Sequence, residues 1–194
     1  MNKVILVGAS GTLLKDKLGK TIDSFDIVCR INSGGRPECL TGEYKDIIGS
    51  KTNIWLCKHI ALLRMYQKNH TYDDLVEFGD KEYTWYFRVT KGSYILKKCK
   101  KALKEFNNNL TRPTAGILSI FYLLDIYGSI SICGFDGFKG GHWYGNKFLD
   151  QQDLSDIAAA KGSGSHDAIK ETEYIDYLVK NNKINRIDEQ RIKR

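Results

Sequence analysis

The sequence is poor in proline and in paired cysteines, and both absences exclude classes of protein. It has only two prolines among 194 residues, and none of its five cysteines forms a C-x-x-C pair. Proline-rich linkers, a disulfide framework and a cysteine-based zinc site are therefore not indicated. No apolar run approaches the ~20 residues that span a bilayer, and the apolar stretch before Gly8 is too short for a signal peptide. We expect a cytoplasmic protein with reduced, mostly buried thiols.

Several short catalytic signatures are also missing. The chain has no G-x-x-x-x-G-K-[ST] phosphate loop and no G-x-S-x-G nucleophile turn. It has no D-x-D triplet, with which many nucleotide-sugar enzymes hold a divalent metal on a diphosphate. This last absence favours a donor with a single phosphate, or a mechanism without metal. We therefore predict no metal site.

Charge and length bound the remaining possibilities. A chain of 194 residues with 42% hydrophobic residues fits one globular domain, residues 1–194. The formal charge is +7, and the basic residues concentrate in the tail 180–194 and in a probable helix. The lysines of that helix are Lys97, Lys98, Lys100, Lys101 and Lys104. Such charge attracts an anionic membrane or glycan, but it equally fits a solvated helix face and a frayed terminus.

Apolar runs and helical spacing predict alternating strands and helices. The predicted strands are 3–7, 25–31, 53–57, 83–89, 129–133 and 184–187. A loop with a short helix is predicted at 10–20, and further helices at 59–67, 93–106, 115–126 and 166–180. In the last helix we expect Ala168, Ile169, Ile175 and Leu178 to face inward. The alternation predicts an α/β fold, a mostly parallel Rossmann-like sheet with helices on both faces.

Candidate binding residues follow the predicted strands, where parallel sheets bind their ligands. The turn Gly8-Ala9-Ser10-Gly11 follows the first strand, Asn32 the second, and Gly134-Phe135-Asp136 a later one. The segment 114–116 opens a helix, whose unpaired N–H groups favour anions. One crevice would then hold a nucleotide and its phosphate. The alternatives are a plain tight turn at Gly8 and a turn-forming Asn32.

The first turn also resembles the start of an NAD-binding unit. That interpretation requires a third glycine near Leu14 and an acidic residue at the end of the second strand, where Arg30 stands. Both departures argue against NAD.

Two histidines are candidates for acid–base work. His142 follows the glycine-rich segment 137–141 and precedes Trp143 and Tyr144. A protonated histidine stabilises a leaving phosphate, and a tyrosine hydroxyl can hydrogen-bond to one. His166 follows the segment 162–165 and titrates near neutral pH, as a general base requires. The alternatives are an exposed aromatic lid at 142–144, and a helix cap at Ser165 or His166 with a solvated Glu171.

Taken together, the motifs resemble those of the sialyltransferases that carry sialylmotifs L, S, III and VS. Segments 7–11, 22–28, 30–32 and 44–52 resemble motif L, and segments 113–118 and 133–135 resemble motif S. Motif III resembles 142–144, and motif VS resembles 166–171. The order is that of the family, and the combination is specific where each piece alone is not.

The resemblance implies a GT-A-like variant of the fold and a metal-independent, inverting transfer of sialic acid from CMP-sialic acid to a glycan hydroxyl. His166 would be the general base, and His142 would stabilise the departing phosphate. The donor would be held by Gly8, Ala9, Ser10, Gly11, Asn32, Arg112, Thr114, Ala115, Gly116, Gly134, Phe135, Asp136 and Tyr144. No cofactor beyond the donor substrate and no nucleic-acid partner is expected. Peripheral contact with an anionic membrane or glycan would use the basic helix and tail.

The chain departs from the family pattern at several positions. The family normally has Asn at Ala9, Ser or Thr at Ala115, and an acidic residue at Gly145. The disulfide of the animal enzymes is absent, its apparent counterparts being Val4 and Tyr127. Arg112 and Gly134-Phe135-Asp136 resemble bacterial sialyltransferases of host-mimicking glycans. We expect a soluble, minimal enzyme of bacterial or viral type, located in bacterial or infected-host cytoplasm. A transferase for another CMP-linked acidic sugar and a non-catalytic nucleotide- or glycan-binding module stay open as alternatives.

Overall fold

The computed structural model describes residues 2–35, 40, 42–56, 94–106, 113–137, 143 and 168–188. The strands are β1 (Val4–Val7), β2 (Ile27–Ile31), β3 (Ile54–Leu56), β4 (Ile130–Cys133) and β5 (Ile184–Arg186). The α-helices are α1 (Gly19–Asp23), α2 (Lys45–Ile48), α3 (Tyr94–Glu105), α4 (Ala115–Tyr127) and α5 (Ala168–Lys180). Short 3-10 helices cover Gly11–Lys15, Asn32–Gly35 and Gly42–Tyr44. The predicted helix 59–67 and strand 83–89 lie outside the described residues.

The five strands form one parallel sheet in the order β3-β2-β1-β4-β5. On one side of β1, Val7 lies opposite Arg30 of β2, and on the other side it lies opposite Cys133 of β4. The chain therefore builds outward from β1 in one direction and then in the other. Such a reversal of strand order leaves a crevice at the carboxyl ends of the two central strands. The predicted α/β fold with a parallel sheet is confirmed.

Both faces of the central strand β1 are buried, which explains why this strand is apolar along its whole length. Alternate residues of β1 show this: Val4 and Leu6 belong to a large core cluster, and Ile5 and Val7 to a smaller one. The large core contains residues of α3, α4 and α5. The smaller core contains residues of α1, α2 and the first 3-10 helix. Helices thus cover both faces, as the sequence predicts.

The central helix α4 has clear start and stop signals. Thr114 is its N-cap, with a side-chain oxygen that accepts a hydrogen bond from the Ile117 N–H. Every residue from Ala115 to Leu123 is buried, so the first two and a half turns lie inside the molecule. The helix ends at Gly128, whose φ of 76° only glycine adopts without strain.

Helix α5 corrects one expectation. Ile169, predicted to face inward, is 74% exposed. The buried residues of this helix are Glu171, Tyr174, Ile175 and Leu178. They follow the i, i+3, i+4, i+7 spacing of one helical face, and Ile169 is half a rotation away from Leu178. Polarity favours burial of Ile169 over Glu171. Helical periodicity places Glu171, and not Ile169, on the buried face. The side chain of Ala168 lies outside what the structure describes.

Three of the five cysteines fall within the described residues, and all three are buried free thiols: Cys29, Cys99 and Cys133. Burial raises the pKa of the Cys99 thiol to about 12, and it raises the pKa of the other two further. The prediction of reduced, buried thiols is confirmed for these three. Within the described part of the chain, no helix is long and apolar enough to cross a membrane.

Candidate functional site

The turns after β1 and β4 meet at the crevice between the two strands. The Gly8 N–H donates to the Cys133 carbonyl oxygen over 2.8 Å, and the Ser10 N–H donates to the Gly134 carbonyl oxygen over 3.1 Å. A Cβ atom at Gly8 would lie 2.3 Å from that Gly134 oxygen, closer than real Cβ contacts come. The first glycine of the turn is therefore required for the two backbones to approach.

The ring of Phe135 is the point where three separate segments converge. A Cβ at Gly8 would lie 3.0 Å from the Phe135 ring, and a Cβ at Gly116 would lie 2.9 Å from it. Phe135 is half-buried and also packs against the large core. The absence of side chains at Gly8 and Gly116 thus seats this ring between the first turn and the start of α4. The expectation that these segments share one crevice agrees with the geometry.

The start of α4 is fixed by a residue from another helix. Thr114 donates its backbone N–H to Glu171 Oε1 over 2.7 Å and its hydroxyl to Glu171 Oε2 over 2.5 Å. All three polar groups are buried. Glu171 is therefore not the solvated residue of the alternative interpretation, and it orients a neighbouring backbone segment instead.

Trp143 closes one side of the first turn. Its backbone N–H donates to the Ala9 carbonyl oxygen over 2.9 Å, and its indole N–H donates to the Gly8 carbonyl oxygen over 3.2 Å. The side chain is 1% exposed, and its ring lies 5.3 Å from that of Tyr44, centroid to centroid. An exposed aromatic lid is therefore excluded for Trp143 itself.

Ser10 and Gly11 complete the first turn by starting a 3-10 helix. The Ser10 hydroxyl accepts from the Thr12 N–H over 3.1 Å and lies 2.7 Å from the Thr12 hydroxyl. Ser10 is therefore the N-cap of this helix. It is 5% exposed. Ser10 thus stabilises the turn that was predicted to hold the donor.

Asn32 follows β2 at the same edge of the sheet. Its φ of 45° lies in the left-handed region, which asparagine tolerates better than most residues. Its carbonyl oxygen accepts from the Trp55 indole N–H over 2.5 Å. The register β1–β2 places Asn32 and Gly8 beyond the carboxyl ends of neighbouring strands. The turn-forming interpretation of Asn32 holds for its backbone, and donor binding by its amide stays a prediction.

Comparison with known proteins finds a similarity to one family in the first part of the chain. Residues 1–86 match the model of glycosyltransferase family 29 (sialyltransferase). The fold resembles a crystal structure of a mammalian sialyltransferase with a TM-score of 0.58 and 20% identity, over 96% of this chain and 69% of that one. A mammalian sialyltransferase in complex with Gal-beta-1-3GalNAc-ortho-nitrophenol gives a TM-score of 0.57 and 19% identity over the same shares. No curated protein matches the chain significantly.

The structural likeness establishes a shared α/β fold, which is GT-A-like. The family match and this fold together support a glycosyltransferase enzyme. The match to residues 1–86 contains the first turn, Asn32 and the turn before β3, and it ends before α4 and Phe135. The contacts at Phe135 join the matched and the unmatched parts.

The sequence alone does not identify two residues at the crevice as site residues. The sequence places Glu171 in a motif without a site role and gives Asp188 no role. Asp188 Oδ2 accepts from the Gly134 N–H over 2.7 Å and so holds the turn after β4. Its position directly beyond a predicted closing strand was the available signal, because the ends of parallel strands share one edge. Asp136 is half-buried at the same turn.

The remaining predicted site residues lie outside the described residues. They are Arg112, His142, Tyr144 and His166. Their roles as donor contact, leaving-group acid and general base stay predictions. Within the described ranges, no three potential metal ligands come together. All four histidines are outside those ranges, so metal independence is also a prediction.

Proposed function

We propose that the protein transfers sialic acid from CMP-sialic acid to a glycan hydroxyl, with inversion and without a metal ion. The match of residues 1–86 to a sialyltransferase family model and the shared fold support the reaction class. The observation that carries the proposal is the convergence at Phe135. Gly8, from a segment that resembles motif L, and Gly116 and Gly134, from segments that resemble motif S, all lie against or beside this ring.

The chemistry of the donor fits the residues available. CMP carries a single phosphate, so the reaction does not depend on a cation that bridges two phosphates. The transition state has oxocarbenium character, which makes leaving-group stabilisation and a positioned base the main demands. In this proposal His142 and Tyr144 stabilise the departing phosphate, and His166 removes the proton of the acceptor hydroxyl. Arg112, Asn32 and the turns at Gly8 and Gly134 hold the donor.

A glycan acceptor is supported by the similar mammalian enzyme that carries Gal-beta-1-3GalNAc-ortho-nitrophenol. We propose a cytoplasmic site of action and a basic surface that contacts an anionic membrane or glycan. In α3 the lysines Lys97, Lys98, Lys100, Lys101 and Lys104 are exposed, as such a surface requires. Lys98 pairs with Asp125, and Lys101 pairs with Glu105 over 3.8 Å, so part of the positive charge is neutralised locally.

Calorimetry with CMP in the presence of EDTA tests the donor site, and release of CMP from CMP-sialic acid tests catalysis. We expect metal-free binding and release. His166→Ala should abolish transfer while it leaves CMP binding largely intact, and full activity in this variant would refute the base assignment. His142→Ala should mainly lower the chemical step.

A panel of CMP-linked acidic sugars distinguishes the donors. The departures at Ala9 and Ala115 are the observation that favours a donor other than CMP-sialic acid. Failure to bind CMP would contradict the proposal, and hydrolysis of any donor of the panel without acceptor would exclude a non-catalytic binding module.

A further inference from the structure

Glu171 is a buried acid in a helix whose buried face is otherwise apolar. Glu171 is 5% exposed, and it shares the buried face with Tyr174, Ile175 and Leu178. Burial of a carboxylate is unfavourable unless hydrogen bonds or charges compensate it. The compensating donors therefore indicate what the carboxylate does in this fold.

Both carboxylate oxygens accept hydrogen bonds from one residue, Thr114, 57 positions away in the sequence. The Thr114 hydroxyl donates a hydrogen bond to Glu171, and its oxygen accepts one from the Ile117 N–H over 3.3 Å. The Thr114 carbonyl oxygen accepts from the Leu118 N–H over 3.1 Å. The N-cap of α4 is thus held from the helix side and, bidentately, from α5.

The position of this N-cap determines where the next residues meet the crevice. Gly116, two positions after Thr114, contacts the Phe135 ring, which in turn contacts Gly8. A helix behaves as a rigid unit, so a shift of Thr114 moves Gly116 relative to Phe135. A negative charge beside the first turn also stabilises the helix electrostatically.

We propose that Glu171 is a positioning residue for the donor site: it fixes the start of α4 so that Thr114–Gly116 and Phe135 form the donor-facing wall. The inference rests on the proposed function, because both assume that CMP is the ligand that contacts this wall. A purely structural cap is the competing explanation. It predicts a loss of stability without a change in CMP affinity for the folded protein.

Calorimetry with CMP on full-length Glu171→Ala and Glu171→Gln, at a temperature where each variant is folded, separates these explanations. We expect about ten-fold or greater loss of affinity in Glu171→Ala, since small displacements in a preorganised site have large effects. Glu171→Gln should recover most of the affinity, because its amide can still accept the Thr114 N–H. Glu173→Ala, an exposed acid on the same helix, is the matched control and should bind as the parent does. Unchanged affinity in a folded Glu171→Ala overturns the proposal.

Hydrogen exchange gives a readout that does not depend on CMP. In Glu171→Ala the amides 115–118 should exchange faster than in the parent, while those of β1 and β4 should not. Thr114→Val should mimic the effect, and the double variant should show little further change, because the two residues act as one pair. If the parent protein does not bind CMP, the proposed function fails, and unchanged exchange at 115–118 would separately contradict a positioning role.

Discussion

At the scale of single residues, the crevice depends on side chains that are absent. Gly8 and Gly134 let two backbones approach until their amide and carbonyl groups form hydrogen bonds across the strand ends. Gly116 leaves space for the Phe135 ring. A single methyl group at these positions has no free volume to occupy. The nearest atom is the Gly134 carbonyl oxygen at Gly8, a Leu13 methyl carbon at Gly134 and a Phe135 ring carbon at Gly116. The glycines therefore determine the geometry of the predicted donor site.

Gly8→Ala should destabilise the protein and weaken CMP binding together. The new Cβ would overlap the Gly134 carbonyl oxygen at 2.3 Å, and forced overpacking costs about 1–3 kcal/mol or more. Urea denaturation measures the first effect, and calorimetry with CMP the second. Leu14→Ala, at a side chain that is 46% exposed in the following 3-10 helix, should change stability by no more than about 0.5 kcal/mol. A Gly8→Ala protein as stable as the parent would show that the two turns separate easily.

At the scale of elements, the turn between α2 and β3 is held by side chains from β2 and α1. Buried Arg30 donates from Nη2 to the Ile48 carbonyl oxygen over 2.7 Å, and from Nε to the Lys51 carbonyl and the Thr52 hydroxyl. Burial lowers the pKa of this guanidinium to about 10. Asp23 accepts from the Ser50 and Lys51 N–H groups on the other side of the turn. Arg30, counted against an NAD site by the sequence, thus has a structural role.

Arg30→Met should lower the free energy of unfolding by about 2–4 kcal/mol, because buried acceptors without a partner cost about 1–3 kcal/mol each and removal of the buried charge offsets part of this. Arg30→Lys should not restore stability, since one ammonium lacks the planar set of donors that reaches three acceptors. Lys20→Met, at an exposed position of α1, is the control for loss of a positive charge. Denaturant titration decides: equal midpoints for Arg30→Met and Lys20→Met would contradict the role given to Arg30.

The elements also show what the sequence could and could not predict. Strands β1, β2 and β4 follow from apolar runs that end at Gly8, Asn32 and Gly134, and α4 follows from its cap and its final glycine. Helix α2 is not among the predicted elements, because its four residues are too few for propensity to register. The prediction that Ile169 faces inward is wrong, because it follows the polarity of the residue and not the 3.6-residue period of the helix. The long-range contacts of Trp143 depend on tertiary structure and leave no local pattern, and for Asp188 the position after the closing strand is the only sequence signal.

At the scale of the whole molecule, the two cores on either side of the sheet both contain thiols. Cys29 and Cys99 belong to the large core, and Cys133 belongs to the smaller one. Desolvation by burial is the main cause that raises the pKa of each thiol above its ordinary value of 9.0. In the folded protein these groups therefore stay protonated at a pH where the unfolded chain loses their protons. Folding stability is then linked to pH through groups distributed over the entire core.

The free energy of unfolding should therefore fall between pH 9 and pH 10. A thiol whose pKa is raised in the folded state contributes its full stability below 9.0, the pKa of the unfolded chain. That contribution is lost as the pH rises toward the pKa of the folded state. Each thiol should contribute a loss of about 1 kcal/mol over this interval. The opposite linkage of Arg30, whose pKa burial lowers, begins only near pH 10. Denaturant titrations at high salt, which screens surface lysines, and with a reductant present measure the slope. Cys133→Ala should reduce the loss by about 1 kcal/mol whatever its own effect on stability, and an unchanged slope in that variant would contradict the linkage.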